Sequence, residues 1–70
     1  MTGTITVTVN GQDRHVPTNS TLLELLDTLE LDPRGVVVEH NRGIVRRPEL
    51  DSATLADGDS VEIVHFVGGG

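Results

Sequence analysis

Seventy residues are enough for one small domain, which buries only about 60% of the surface its unfolded chain exposes and is too small to enclose a deep, water-free active site easily. Five arginines against eleven acids give a net charge of −6, which disfavours nucleic-acid phosphates as ligands and suits docking on basic surfaces. The absence of cysteine excludes disulfides, thiolate nucleophiles and thiolate metal sites, and the absence of lysine excludes an isopeptide acceptor side chain.

The first residues show no charged-then-apolar signal pattern and no apolar run approaches about 18 residues, so a cytoplasmic protein with no membrane segment is expected. Thr4, Thr6 and Thr8 alternate with Ile5, Val7 and Val9, the period of a half-buried strand. Asn10-Gly11 follows, a pair that tolerates the positive φ angles of a tight hairpin, so Gln12 to Val16 is expected to pair back until Pro17 removes a donor. Thr21 with Glu24 has the spacing of a capping box, and Leu22, Leu25, Leu26 and Leu29 form the inward stripe of a helix of about ten residues that stops before Pro33 and Gly35.

Val36 to Val38 opens the next strand and Gly43 to Val45 a shorter one, with Asn41-Arg42 as the turn between them. Leu50 and Leu55 lie in an irregular stretch and are expected to plug the base of the core; Asp57-Gly58-Asp59 is a turn, and Ser60 to Phe66 is the last strand. One helix over a mixed sheet buries these faces in two layers, an α+β architecture in which a parallel pairing of the first and last strands would lie at the sheet centre. The expected division is a folded domain over 1–66 and a flexible glycine tail over 67–70.

That tail, Val67-Gly68-Gly69-Gly70, ends in an unhindered carboxylate, which is the candidate functional group at Gly70. Glycine has no Cβ, so such an end can thread a channel too narrow for side chains, although glycine runs also serve as linkers. On the last strand Val61 and Ile63 share one face and Val64 and Phe66 the other. With the first pair inward, Val64, Phe66 and Val67 become a candidate docking patch beside the tail; the alternative is that Phe66 caps the core edge. Glu62 could steer a basic partner surface. His15, His40 and His65 lack ligand spacing and are expected to be surface strand residues with no metal site, and Arg46-Arg47 a solvated turn with no nucleic-acid role.

The hairpin, the Thr21-capped helix, the stretch His40-Asn41-Arg42-Gly43-Ile44-Val45, the Asp57-Gly58-Asp59 turn before Val61-Glu62-Ile63-Val64, and the terminal Gly69-Gly70 together resemble the thiamine-pathway sulfur carrier family, ThiS. The likeness covers essentially the whole chain and implies the β-grasp (ubiquitin-like) fold. Two departures stand out: Gly68 where relatives often carry another small residue, and Val45 followed by Arg46, Arg47 and only then Pro48 where the family often has Val-Pro-Arg.

The resemblance implies that the chain is a carrier and substrate, not an enzyme, with no bound cofactor. A ThiF-like adenylating enzyme would use ATP to join the Gly70 carboxylate to AMP, and a persulfide from a cysteine desulfurase or other donor would displace AMP. The resulting C-terminal thiocarboxylate would pass to a ThiG-like thiazole synthase, with Gly68 and Gly69 as the tail each enzyme grips. Other acceptors, in molybdopterin synthesis or transfer-RNA thiolation, fit the same chemistry. A TGS-like module attached to RNA- or nucleotide-handling proteins shares the fold without needing a glycine end.

Overall fold

A computed structural model describes residues 3–66. The first hairpin joins β1 (Thr4–Val9) to β2 (Gln12–Pro17), paired antiparallel from Thr4 opposite Pro17 to Val9 opposite Gln12. Asn10 and Gly11 have φ of 49° and 83°, the left-handed pair that the tight turn requires. Strand β2 runs one residue further than expected and includes Pro17, which an edge strand tolerates because its missing donor faces no neighbour.

Helix α1 (Leu22–Thr28) is seven residues long, shorter than the leucine spacing suggests. Its early stop is a left-handed residue: Glu30 has φ of 60°, and beside it the Leu31 N–H reaches the Leu26 carbonyl (2.9 Å) and the Glu30 N–H the Asp27 carbonyl (3.0 Å). This closes the helix C-terminus before Pro33 is reached. The N-terminus is completed by the irregular stretch after Pro48. Leu22 N–H donates to Ala53 O (2.9 Å), Leu23 N–H to Leu50 O (3.1 Å) and Glu24 N–H to Thr21 Oγ1 (3.2 Å), while Glu24 Oε1 accepts from Thr21 N–H (2.9 Å). Every amide of the first turn therefore has a partner, which lets so short a helix persist.

Strands β3 (Val36–His40) and β4 (Gly43–Val45) form a second hairpin through Asn41 and Arg42, both with positive φ, and β5 (Ser60–His65) lies between the two hairpins. The sheet order is β2-β1-β5-β3-β4, with β1 and β5 parallel and every other pair antiparallel. Val7, Val9, Val16, Val36, Val38, Val61 and Ile63 on one face of the sheet enclose Leu22, Leu25 and Leu26 of the helix, with Leu50 and Leu55 closing the base. This is the expected two-layer mixed sheet. No described helix is long and apolar enough to cross a membrane.

The parallel contact is narrow, only Thr8 opposite Ser60 and Val9 opposite Val61. Asn10 extends it. Its backbone N–H donates to Val61 O (2.9 Å), its Nδ2 donates to Ile63 O (3.1 Å) and its Oδ1 accepts from Ile63 N–H (2.7 Å), so one side chain stands in for the next residue of the strand. At the start of β5, Asp59 is similarly occupied. One oxygen meets His40 Nε2 (2.6 Å) and the Ala56 N–H (2.8 Å), the other accepts from Asn41 Nδ2 (3.1 Å), and Asn41 Oδ1 accepts from Ser60 N–H (2.9 Å). His40 is thus a half-buried fastening residue, 19% exposed at its side chain, and not the surface residue expected.

Replacing Asn10 by glycine keeps the turn conformation and deletes only the two side-chain bonds to Ile63. Denaturant unfolding should show a loss of about 1–3 kcal/mol, and a loss near zero would remove the strand-extending role. For Asp59, burial pushes the carboxyl up, but hydrogen bonds from His40, the Ala56 N–H and Asn41 outweigh it and hold the pKa below the ordinary 3.8. The folded state therefore binds fewer protons than the unfolded chain, so this stability is present above the ordinary value and is lost as pH falls through the lowered one. Urea midpoints followed from pH 6 down through the range below 3.8 should fall less steeply for Asp59→Asn than for the wild type. Parallel slopes would refute it.

Candidate functional site

The site begins where β5 ends. Its alternation is as expected: Val61 and Ile63 are buried, while Val64 and Phe66 are 59% and 61% exposed, so Phe66 does not cap the core edge. Val64 lies directly opposite Val37 of β3 on the outer face, and the Phe66 N–H donates to Gly35 O (2.9 Å), which pins the chain at the last described residue. Val67, Gly68, Gly69 and Gly70, expected to form the tail and its reactive end, lie outside the described residues.

Beside Phe66, the ends of β3 and β4 and the turns at Pro33–Gly35 and Arg47–Glu49 frame an open groove of about 500 Å³. Val37, Ile44 and Phe66 give it an apolar floor, with Ile44 67% exposed, and Arg34, Arg46 and Arg47 line its sides. Arg34 is engaged by Asp32: its Nε and Nη2 reach the two carboxylate oxygens at 3.2 and 2.9 Å, and these bonds with the Arg34 N–H hold the Asp32 carboxyl down at about 2. Arg46 and Arg47, expected to be no more than a solvated turn, are exposed beside this floor.

The groove is the feature that single-residue motifs missed. Its signal was nevertheless in the chain: residues 33–48 hold four arginines and one acid, whereas everything else holds one arginine and ten acids. Glu62, expected to steer a basic surface, faces Glu39 across the β3–β5 ladder on the same outer face as Val64. The outer face thus carries an acidic centre and an arginine-rimmed end.

The motifs that carry the family likeness are mostly elsewhere. His40, Asn41 and Asp59 meet at the start of β5, at the opposite end of that strand from Phe66, and their work is to fasten the β3–β4 turn to the sheet. His15 bonds Thr6 Oγ1 through Nδ1 (3.0 Å) on β2, and His65 is exposed at the end of β5, so the three histidines do not converge. Among the described residues no three His, Asp or Glu side chains are placed to hold a metal ion.

Comparison with known proteins is consistent along the chain. The chain is 38% identical over 63 residues to the sulfur carrier protein ThiS of Bacillus subtilis, covering 89% of this chain and 96% of that one. The crystal structure of the thiamine biosynthesis protein ThiS from Geobacter metallireducens superposes with a TM-score of 0.82 at 36% identity, covering 94% of this chain and all of that one. A thiazole synthase of Paramagnetospirillum magneticum is 40% identical over 62 residues, 89% of this chain but only 19% of the synthase, so the chain spans about a fifth of that relative. A second thiazole synthase, from Magnetococcus marinus, matches over the same share at 37% identity. With the ThiS family model matching residues 7–70, from within β1 to the last residue, this chain belongs to the ThiS family.

Proposed function

We propose that this protein is a sulfur carrier of thiamine biosynthesis, whose Gly70 carboxylate is adenylated, converted to a thiocarboxylate and discharged to a thiazole synthase. The observation that carries the reading is the likeness to the Bacillus subtilis sulfur carrier across 96% of that protein, together with a family match that includes the last residue.

The chemistry follows from the poverty of a carboxylate as an electrophile. Its negative charge and resonance repel a nucleophile, so a partner enzyme first transfers AMP from ATP to one carboxylate oxygen and releases pyrophosphate. A persulfide on the sulfur donor then attacks the acyl carbon and expels AMP, leaving an acyl disulfide; a thiol cleaves its S–S bond and frees the thiocarboxylate. The chain itself supplies position. Strand β5 is paired on both sides near its start and along one side to its end, and the Phe66 N–H bond to Gly35 fixes the point of departure. The four residues after Phe66 reach at most roughly 14 Å, which keeps the acyl end within one enzyme's active site while the body docks outside it.

The choice of acceptor is supported by the two thiazole synthases, each of which contains a stretch resembling this chain within a longer polypeptide. A stretch resembling this chain within a thiazole synthase favours delivery of sulfur to a thiazole synthase over molybdopterin or transfer-RNA acceptors. The exposed Val64 and Phe66 at the end of β5 support an apolar contact with such partners.

Incubation with ATP, the adenylating enzyme of the same organism and a persulfide donor should raise the intact mass by about 16 Da, one oxygen exchanged for sulfur. An unchanged mass with an enzyme proven active on another carrier would reject the function. Deleting Gly69-Gly70 should abolish the mass gain and leave the thermal unfolding transition within about 2 °C, since among the described residues the buried core ends at Ile63. Loss of folding on that deletion would mean that the glycines are structural.

A further inference from the structure

An acidic carrier attracted to a basic enzyme surface has no electrostatic reason to arrive tail first. The distribution of charge supplies one. Four of the five arginines fall within residues 33–48, and three of them line the groove that adjoins Phe66. Arg34 is neutralised by Asp32, but neither Arg46 nor Arg47 has a carboxylate partner among the described residues. Next to them Ile44 and Phe66 are 67% and 61% exposed. Exposed aromatic and aliphatic surface beside unpaired guanidinium groups is the composition of an interface centre.

We propose that this groove seats an extended acidic segment of a partner protein, an apolar side chain resting on Ile44 and Phe66 and a carboxylate meeting Arg46 and Arg47. Under the sulfur-carrier reading, on which this rests, the segment belongs to the adenylating enzyme. That enzyme has to receive the tail as a free anion, and a positive island beside the tail on an otherwise negative body lets only one orientation satisfy both partners. Nucleic acid is the poorer occupant, since ten acids lie outside the arginine-rich stretch and Phe66 is the chain's single aromatic residue.

The test is the steady-state rate of pyrophosphate release by the adenylating enzyme with the full chain as substrate. Arg46→Glu with Arg47→Glu should raise KM about tenfold with kcat within about twofold, whereas Arg14→Glu on the far edge should change KM by less than about twofold. The gap should shrink in roughly 1 M salt, where the screening length is about 3 Å, and Arg46→Lys with Arg47→Lys should recover most of the affinity. If the Glu pair fails to fold, Arg46→Ala with Arg47→Ala is read in the same way. A KM equal to that of Arg14→Glu, or a rise indifferent to salt, would overturn the groove's role while leaving the carrier function standing. Wild-type chain that is never adenylated would overturn both, and arginine-dependent retention of a fluorescent single-stranded RNA would assign the groove to nucleic acid instead.

Discussion

The structure depends on a parallel pairing between the two ends of the chain. Strand β1 at the start and β5 at the finish meet at the centre of the sheet with only two residues of each in register, and every other element is arranged around that contact. Such a pairing is expensive to form because it joins distant parts of the chain, whereas both hairpins form from local sequence. Asn10 eases the problem. The residue that turns the first hairpin also lends its side-chain amide to Ile63, so the local turn and the long-range contact are made by one residue.

The consequence is a last strand that is restrained almost to its end. Against β3 it is paired from Val61 to His65, and the Phe66 N–H adds one more bond beyond the strand. Fastening at the opposite end, through His40, Asn41 and Asp59, prevents β5 from sliding against the β3–β4 hairpin. A side-chain period of two makes register all-or-none: a slip by one residue would bury Val64 and expose Ile63. The same bonds that stabilise the fold therefore decide that Val64 and Phe66 face outward where the glycine segment begins. Under the sulfur-carrier proposal, a fixed departure point would reduce the ordering an enzyme must impose on the acyl end.

Much of this was legible in the residues because local chemistry decided it. Alternating threonine and valine, Asn10-Gly11, the Thr21–Glu24 spacing and the inward leucines each have one low-energy solution, and the structure adopts them. The helix length was not legible, because its end is set by Glu30 adopting a left-handed conformation that glutamate does not advertise. Nor was the second task of Asn10, which depends on where β5 lies in space. His40 looked like a strand surface residue for the same reason: its partner Asp59 is nineteen positions away and becomes a neighbour only when β3 and β5 pair. At the site, the outward face of β5 could be read from alternation, but the groove could not, since it is assembled from the ends of two strands and two turns.

Arg46 and Arg47 occupy the corner where, by the resemblance drawn from the sequence, the chain departs from a Val-Pro-Arg run, with two arginines between Val45 and Pro48. In isolation that departure reads as a solvated turn. In the fold it places two guanidinium groups without a carboxylate partner among the described residues beside exposed Ile44 and Phe66, at the end of β5. Overall charge acts over the screening length and sets how often carrier and enzyme meet; a local island of opposite sign acts at contact and sets which way round they meet. For a protein whose chemistry would take place on its terminal atoms, orientation is the quantity that separates a productive encounter from a futile one.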